Sequence, residues 1–474
     1  IVGRTSSERL DYVLTHRLLG LPILLFMMWC IFQLTANVSA PMVDWLDGVI
    51  NGVFSRWVGS LLGAAGLGGT WVESLLVGGV LTGIGGVLVF VPVLMGLYFA
   101  IGVLEDSGYM ARAAFVMDRA MRVVGLHGKS FLPMLVGFGC NVPAVYATRT
   151  LEHEVDRKVT GFLVTFMSCG ARLPVYVVVG SAIFGAQAGN LIFAMYILGI
   201  VVALATAFLL KRVIYRHLPP QPFVMELPPY RAPHLRDIWR QMSNRTGSFI
   251  REAGTIILTT SVVIWVLLAL PVDGHSGFND VAPEQSAYGA VSRAIAPVFA
   301  PAGFDSWQAS GALVSGLVAK EVVVSTMSQI MVGESVQENA EPSDATSVLE
   351  DVRDIGVWLV DAVVLTAQET INIVPRTLNL VPSLHVPEVT LIDTGGEDDT
   401  TALEAALARL LTPLSALAFT AFVLLYTPCM TTVAAMRHEF GGRWTLYQII
   451  YTLVVAWAVA VLIFQVGRLL GYGG

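Results

Sequence analysis

Residues 137–143 read G-F-G-C-N-V-P, and residues 316–322 read G-L-V-A-K-E-V. Each is a short polar interruption of an otherwise apolar segment. A Cys-bearing stretch follows each one: F-L-V-T-F-M-S-C at 162–169 and F-V-L-L-Y-T-P-C at 422–429. In both stretches an aromatic lies four residues after the first Phe, and Cys three beyond that. The same order occurring twice reads as an internal repeat. Membrane carriers with such repeats unwind helices near the bilayer midplane to build an ion or substrate site.

Composition sets the class around these segments. Hydrophobic residues make up 55% of the chain and charged residues 13%, with a mean hydropathy of +0.69. Ordinary soluble domains are about 25% charged. Several apolar runs reach the roughly 20 residues that cross hydrocarbon. The fold class read from this is an all-α polytopic membrane protein. The net charge of −7 decides little, because placement of Lys and Arg matters more than the sum. Cys30, Cys140, Cys169 and Cys429 all lie inside apolar segments, which excludes a secreted disulfide framework. No signal peptide precedes the first apolar run.

Hydropathy and the Lys/Arg pattern predict seven full spans, at about 18–38, 84–104, 158–183, 189–211, 252–271, 411–433 and 444–467. Two further segments, 131–148 and 307–331, are short and broken. The first has basic flanks on both sides, so it reads as re-entrant from the cytoplasm. The second has flanks poor in Lys and Arg and reads as re-entrant from outside. Broken backbone at membrane depth must be buried in protein or line a cavity. The organisation is therefore 1–83 lead-in, first span and outer amphipathic segment; 84–211 first repeat; 212–251 basic cytoplasmic loop; 252–332 span and second re-entrant segment; 333–408 acidic extramembrane insertion; and 409–474 the remainder of the second repeat. Charge bias places 211–251 and 333–408 on opposite faces, and the count puts the C-terminus outside.

Three thiols fall at predicted helix breaks. Cys140 sits between Gly139 and Pro143, Cys169 between Gly170 and Pro174 on one side and Ser168 on the other, and Cys429 directly after Pro428. Gly and Pro free backbone carbonyls there. Thiolates suit soft or borderline ions such as Fe(II), Cu(I) and Zn(II) rather than Mg(II). Asn141 adds an amide, and Met134 and Met167 add nearby thioethers. A Cys is also an ordinary small buried hydrophobe; Cys30, with no break beside it, reads as packing. Lys320 and Glu321 are ionisable residues inside the second broken segment, candidates by their position alone. Arg172 is expected either to repel cations or to pair with a carboxylate. Glu105 and Asp106 end the second span and are candidate metal contacts at the inner mouth. G-L-H-G-K-S at 125–130 imitates a phosphate loop, but Val123 stands where the pattern needs Gly. No hydrolase constellation is present, so the chain reads as a transporter region and not an enzyme.

Taken together, L-E-D-S-G-Y-M-A-R-A-A-F-V-M-D-R (104–119), G-L-H-G-K-S-F (125–131), G-F-G-C-N-V-P-A (137–144), A-T-R-T-L-E (147–152), S-C-G-A-R-L-P-V-Y (168–176), A-G-T-I-I-L (253–258), K-E-V-V-V (320–324) and Y-T-P-C (426–429) resemble the membrane region of FeoB ferrous-iron transporters. The resemblance runs over nearly the whole chain, and the two Gate motifs of that family fall on the repeats above. It implies Fe(II) uptake across a bacterial inner membrane through a Cys-lined path. It also implies a cytoplasmic G-protein domain joined before residue 1, which would bring GTP, and possible contact with small accessory proteins or a second copy. The lipid bilayer is the other partner, and nothing points to nucleic acid. A nucleoside-type carrier and a metal-sensing membrane receptor remain the alternatives.

Overall fold

The computed structural model describes residues 6–16, 19–213, 228–272, 278, 281–320, 322–332, 348–378, 387, 389 and 400–471. The described chain is helical throughout, with one isolated β-bridge between Pro271 and Ser286. Its helices are α1 (Ser6–Leu14), α2 (Gly20–Ala64), α3 (Trp71–Asp106), α4 (Tyr109–Val123), α5 (Phe131–Gly137), α6 (Asn141–Ala147), α7 (Glu154–Val164), α8 (Leu173–Phe184), α9 (Ala188–Val213), α10 (Leu235–Ala269), α11 (Ala287–Ile295), α12 (Trp307–Val318), α13 (Val322–Val332), α14 (Val348–Leu378), α15 (Thr400–Leu410), α16 (Pro413–Leu425), α17 (Met430–Phe440) and α18 (Gly442–Leu469). α2 and α3 are continuous through π-helical turns, at Gln33–Val38 and Gly48–Phe54 in the former and Leu75–Leu81 in the latter.

Seven helical stretches among the described residues are long and apolar enough to cross a membrane, as expected, but the set differs from the sequence reading. The crossing stretch Pro413–Phe440 is broken at Tyr426–Cys429, so 411–433 is not one continuous helix, and the segment 158–183 is not one span. The latter is interrupted between α7 and α8, and neither piece reaches membrane length. The seventh crossing-length helix lies instead at Glu350–Thr377, inside the stretch expected to be wholly extramembrane. Scattered carboxylates there hid an apolar helix of 31 residues.

The chain divides into two compact units. The first comprises 1–119, 223–259 and 342–397. Within it α14 packs on α2: Trp57 Nε1 donates to Asp351 at 2.7 Å, Arg56 reaches the same carboxylate at 3.2 Å, and Trp45 Nε1 donates to the Ile355 carbonyl at 3.2 Å. The lead-in helix α1 is tied to α4 by Arg112, which is 1% exposed. Arg112 Nε meets Asp11 at 2.9 Å, and its guanidinium stacks 4.0 Å above the Tyr230 ring.

The second unit comprises 120–222, 260–341 and 398–474, and it contains both broken segments and both Cys-bearing stretches. The stretch Pro413–Phe440 has 78% of its apolar window buried in protein, against 12–33% for the other six. It is therefore the core element of its unit. The repeat is visible as α5–break–α6, α7–break–α8 and α9, followed by α12–break–α13, α16–break–α17 and α18. The backbone repeats too. Cys140 in the first break has φ −150°, ψ 131°, and Ala319 in the second has φ −148°, ψ 132°. Cys169 (φ −78°, ψ 162°) and Cys429 (φ −56°, ψ 154°) both leave the helical conformation and immediately precede a new helix or helical turn. The second halves are exchanged: α6 of the first repeat packs on α17 of the second, and α13 of the second packs on α8 of the first. Reciprocal packing of that kind is what a two-fold relation between the repeats produces.

Candidate metal-conducting site

The site is built from four breaks within the second unit. Gly170 N–H donates to the Gly139 carbonyl at 3.1 Å, so the breaks at Cys140 and Cys169 touch through their main chains. Arg172, Tyr176 and Cys429 all lie within electrostatic reach of Tyr426, which brings the Y-T-P-C stretch to the S-C-G-A-R stretch. All three of these thiols are half-buried and none forms a disulfide. Cys429 Sγ lies 3.2 Å from Thr432 Oγ1. Cys30 belongs to the first unit.

The carbonyls freed by the breaks in the first repeat are already in use. Arg172, fully buried, donates to Met167 O at 2.9 Å and Thr165 O at 3.1 Å. It is a cap for the end of α7 and pairs with no carboxylate among the described residues, contrary to one expectation for it. Gln448 Nε2, from α18, donates to Thr165 Oγ1 at 3.0 Å and Phe162 O at 3.4 Å. The Asn141 side chain faces the carbonyls of Gly137 and Val164 at 3.0 and 3.1 Å. Only its amide nitrogen can donate there, so that orientation is assigned. Leaving such buried oxygens unmet costs about 1–3 kcal/mol each, which is why polar side chains cluster here. The carbonyls of Gly137, Gly139, Phe162, Val164, Thr165 and Met167 are thus engaged, and Cys140 and Cys169 bring sulfur beside them.

The second repeat uses different residues in matching places. Lys320 follows Ala319 as Asn141 follows Cys140. Its ammonium is 2% exposed and lies 2.9 Å from the centroid of the Tyr426 ring, a cation–π contact. Tyr426 OH donates to Leu313 O at 3.4 Å. Tyr288, on α11, donates to Gly311 O at 2.5 Å and meets Ser315 Oγ at 2.7 Å. Gly316 lets these groups approach, since a Cβ there would collide with Tyr426 Oη and a Val323 methyl. Tyr288 and Gln448 had no sequence signal beyond being polar atoms in apolar helices.

Other candidates separate. Glu321 lies outside the described residues. Met134 and Met167 are buried, and Met167 packs its Cβ and Cγ against Gly137. Glu105 and Asp106 belong to the first unit, where they hold the start of α10. Asp106 accepts His234 N–H at 2.6 Å, and Glu105 faces Gln241 at 3.4 Å and Arg245 at 3.6 Å. Together with Asp237 and Arg231 they line an open cavity of about 390 Å³. The G-L-H-G-K-S stretch is a turn in which His127 caps Lys129 N–H, and Lys129 Nζ pairs with Glu152 at 2.8 Å. That pairing holds the Glu152 carboxyl below its ordinary range. No described group of three or more His, Cys, Asp or Glu side chains is arranged to hold a metal.

Comparison with known proteins follows the same residues. A family described as Gate, nucleoside recognition, matches 87–183 and 250–443. A second, described as ferrous iron transport protein B C terminus, matches 192–245. The chain is 36% identical over 497 residues to an Fe(2+) transport protein A/Fe(2+) transporter FeoB fusion protein of Porphyromonas gingivalis, covering 98% of this chain and 52% of that protein. It is 36% identical over 465 residues to an Fe(2+) transporter FeoB of Staphylococcus aureus, and 35% over 473 residues to one of Methanocaldococcus jannaschii. In both cases 98% of this chain and 59% of the relative are covered. The chain thus spans between half and three fifths of the length of these curated relatives. No solved structure matches.

Proposed function

Since the chain belongs to the FeoB ferrous-iron transporter family as its Gate-bearing membrane region, we propose that it conducts Fe(II) across the membrane through the paired breaks of its second unit. It is a multi-pass inner-membrane protein. The observation that carries the proposal is the placement of Cys140, Cys169 and Cys429, each out of helical conformation and each just before a new helix or helical turn, in one unit.

Fe(II) is the substrate, and it sheds water on entering. Sulfur replaces part of that shell, and its softness favours Fe(II) over Mg(II). Binding requires thiolates, so occupancy falls as pH drops. Opposed re-entry of α5–α6 and α12–α13 fits this path, as does the reciprocal packing of the half-helices. A nucleotide-driven domain of the kind the family resemblance implies is the proposed source of gating. The P. gingivalis relative carries Fe(2+) transport protein A in the same chain, which supports a small accessory partner. The Gate family is described as nucleoside recognition, but the relatives matched over 98% of the chain are named Fe(2+) transporters, so that alternative is not favoured.

The test is Fe(II) uptake by the full-length protein with Cys140, Cys169 and Cys429 each replaced by Ser. Uptake is expected to fall at least tenfold in the triple variant. Normal uptake by a well-expressed triple variant refutes the thiol path.

A further inference from the structure

α6 and α17 begin at thiols and end at one carboxylate. Cys140 immediately precedes α6, and Cys429 immediately precedes α17. At their far ends Tyr146 of α6 and His438 of α17 are in edge contact. Like end meets like end, and the helices pack, so they run side by side. Just beyond, the Glu439 side chain is 3% exposed. Its Oε1 accepts Arg149 Nε at 2.9 Å and Arg149 Nη2 as well, and its Oε2 accepts Arg157 Nη2 at 3.3 Å. Arg149 follows α6 and Arg157 lies in α7, both in the first repeat. Glu439 belongs to the second.

The end of the unit where this happens is the basic one. Lys129, Lys158 and Lys211 pair with Glu152, Glu154 and Asp156 around the start of α7, beside Arg149 and Arg157, and Arg437 and Arg443 flank Glu439 in sequence, which marks this end as cytoplasmic. The opposite pair, α8 and α13, has a weaker fastening: both pack on α15, and Ser181 Oγ donates to Glu404 at 2.5 Å. One fastening is therefore ionic and cross-repeat, and it sits at the cytoplasmic ends of the two helices that carry thiols at their other ends.

We infer that Glu439 is a positioning residue for transport: with Arg149 and Arg157 it latches α6 to α17 and closes the cytoplasmic side of the thiol path. Release of the latch lets the two helices part and uncovers Cys140 and Cys429 toward the cytoplasm. A buried carboxylate shared by two guanidiniums, with His438 Nδ1 3.3 Å from its Oε1, suits this role. Losing one ion pair changes a two-state balance without removing the helices that form the path. The inference rests on the proposed path, but its test reads thiol exposure and needs no metal.

The experiment uses the full-length protein with Cys30 replaced by Ser, in inside-out vesicles, labelled by a membrane-impermeant maleimide and read peptide by peptide. Glu439→Gln is expected to raise the labelling rates of Cys140 and Cys429 about tenfold, an ordinary size for coupling between sites. Arg149→Glu and Arg157→Gln combined with Glu439→Arg, which restores one ion pair of opposite polarity, is expected to return the rates toward the parent value, which a merely structural loss does not do. In a second arm, Arg149→Cys with Glu439→Cys is bridged by a bis-methanethiosulfonate, each thiolate displacing one methanesulfinate to form a mixed disulfide across the gap the ion pair fills, with the protein lacking the added pair treated alike as control. The cross-linked protein is expected to protect both native thiols and to stop uptake, with a reductant restoring both. Unchanged labelling in a correctly folded Glu439→Gln protein overturns the inference. If that variant does not fold, unimpaired transport by the fully cross-linked protein overturns it instead.

Discussion

Arg172 turns its guanidinium toward main-chain oxygens at the break beside Cys169, and this decides what that break can bind. The planar fork meets Thr165 O and Met167 O together, which the point charge of Lys cannot reproduce. Arg172→Lys is expected to lower stability by about 2 kcal/mol, one buried carbonyl left unmet, and to slow Fe(II) uptake. A thermal-unfolding scan in detergent and an uptake assay check both. Asp11 offers a second test outside the membrane. Its hydrogen bond to Arg112 holds its carboxyl below the ordinary range. A depressed folded-state value stabilises above the ordinary pKa of about 3.9, and the contribution disappears as pH falls through the lowered value. Asp11→Asn leaves a nearly buried Arg112 without its carboxylate and is expected to cost on the order of 3 kcal/mol at pH 7. The variant's melting temperature is expected to change less between pH 5 and pH 3 than the parent's. An equal acid-side slope in both proteins contradicts that assignment.

At the scale of elements, the half-helices follow from local chemistry. Gly139, Pro143, Gly170, Pro174 and Pro428 interrupt hydrogen bonding where the chain is otherwise apolar, and those interruptions were readable in advance. Gly441, at φ +85°, makes the abrupt turn between α17 and α18 that only glycine adopts readily. Gly316 acts differently, by clearance. Gly316→Ala places a methyl against Tyr426 Oη and a Val323 methyl, and overpacking of that kind costs about 1–3 kcal/mol. The expected result is a lower melting temperature and weaker uptake, while an exposed control such as Gly442→Ala leaves both unchanged. The break at Cys169 is legible from Gly170 and Pro174, yet 158–183 still reads as one full span. Its hydropathy is continuous, and the break depends on Arg172 and Gln448 reaching carbonyls that hydropathy does not register.

For the whole molecule, the consequential finding is α14. With Glu350–Thr377 long and apolar enough to cross, the residues before and after it are expected to lie on opposite membrane faces. Single cysteines at Ala340→Cys and Thr394→Cys are expected to react with an impermeant reagent from opposite sides, with the basic loop 211–251 labelled only from the cytoplasm. Labelling of both positions from one side returns 333–408 to a wholly extramembrane insertion.

Composition and spacing alone settled that this chain is an all-α membrane protein with a doubled, Cys-bearing motif, because hydropathy and Gly/Pro breaks act over a few residues. The partners of those breaks required the tertiary structure. Arg149 and Glu439 stand 290 positions apart, Gln448 meets Thr165 across 283, and Tyr426 meets Leu313 across 113. Which donor satisfies a freed carbonyl depends on which helix packs beside it. Packing is set by the sum of many apolar contacts, and no local pattern encodes that sum. The sequence therefore marked where the helices break, and the fold decided which side chains reach the oxygens there.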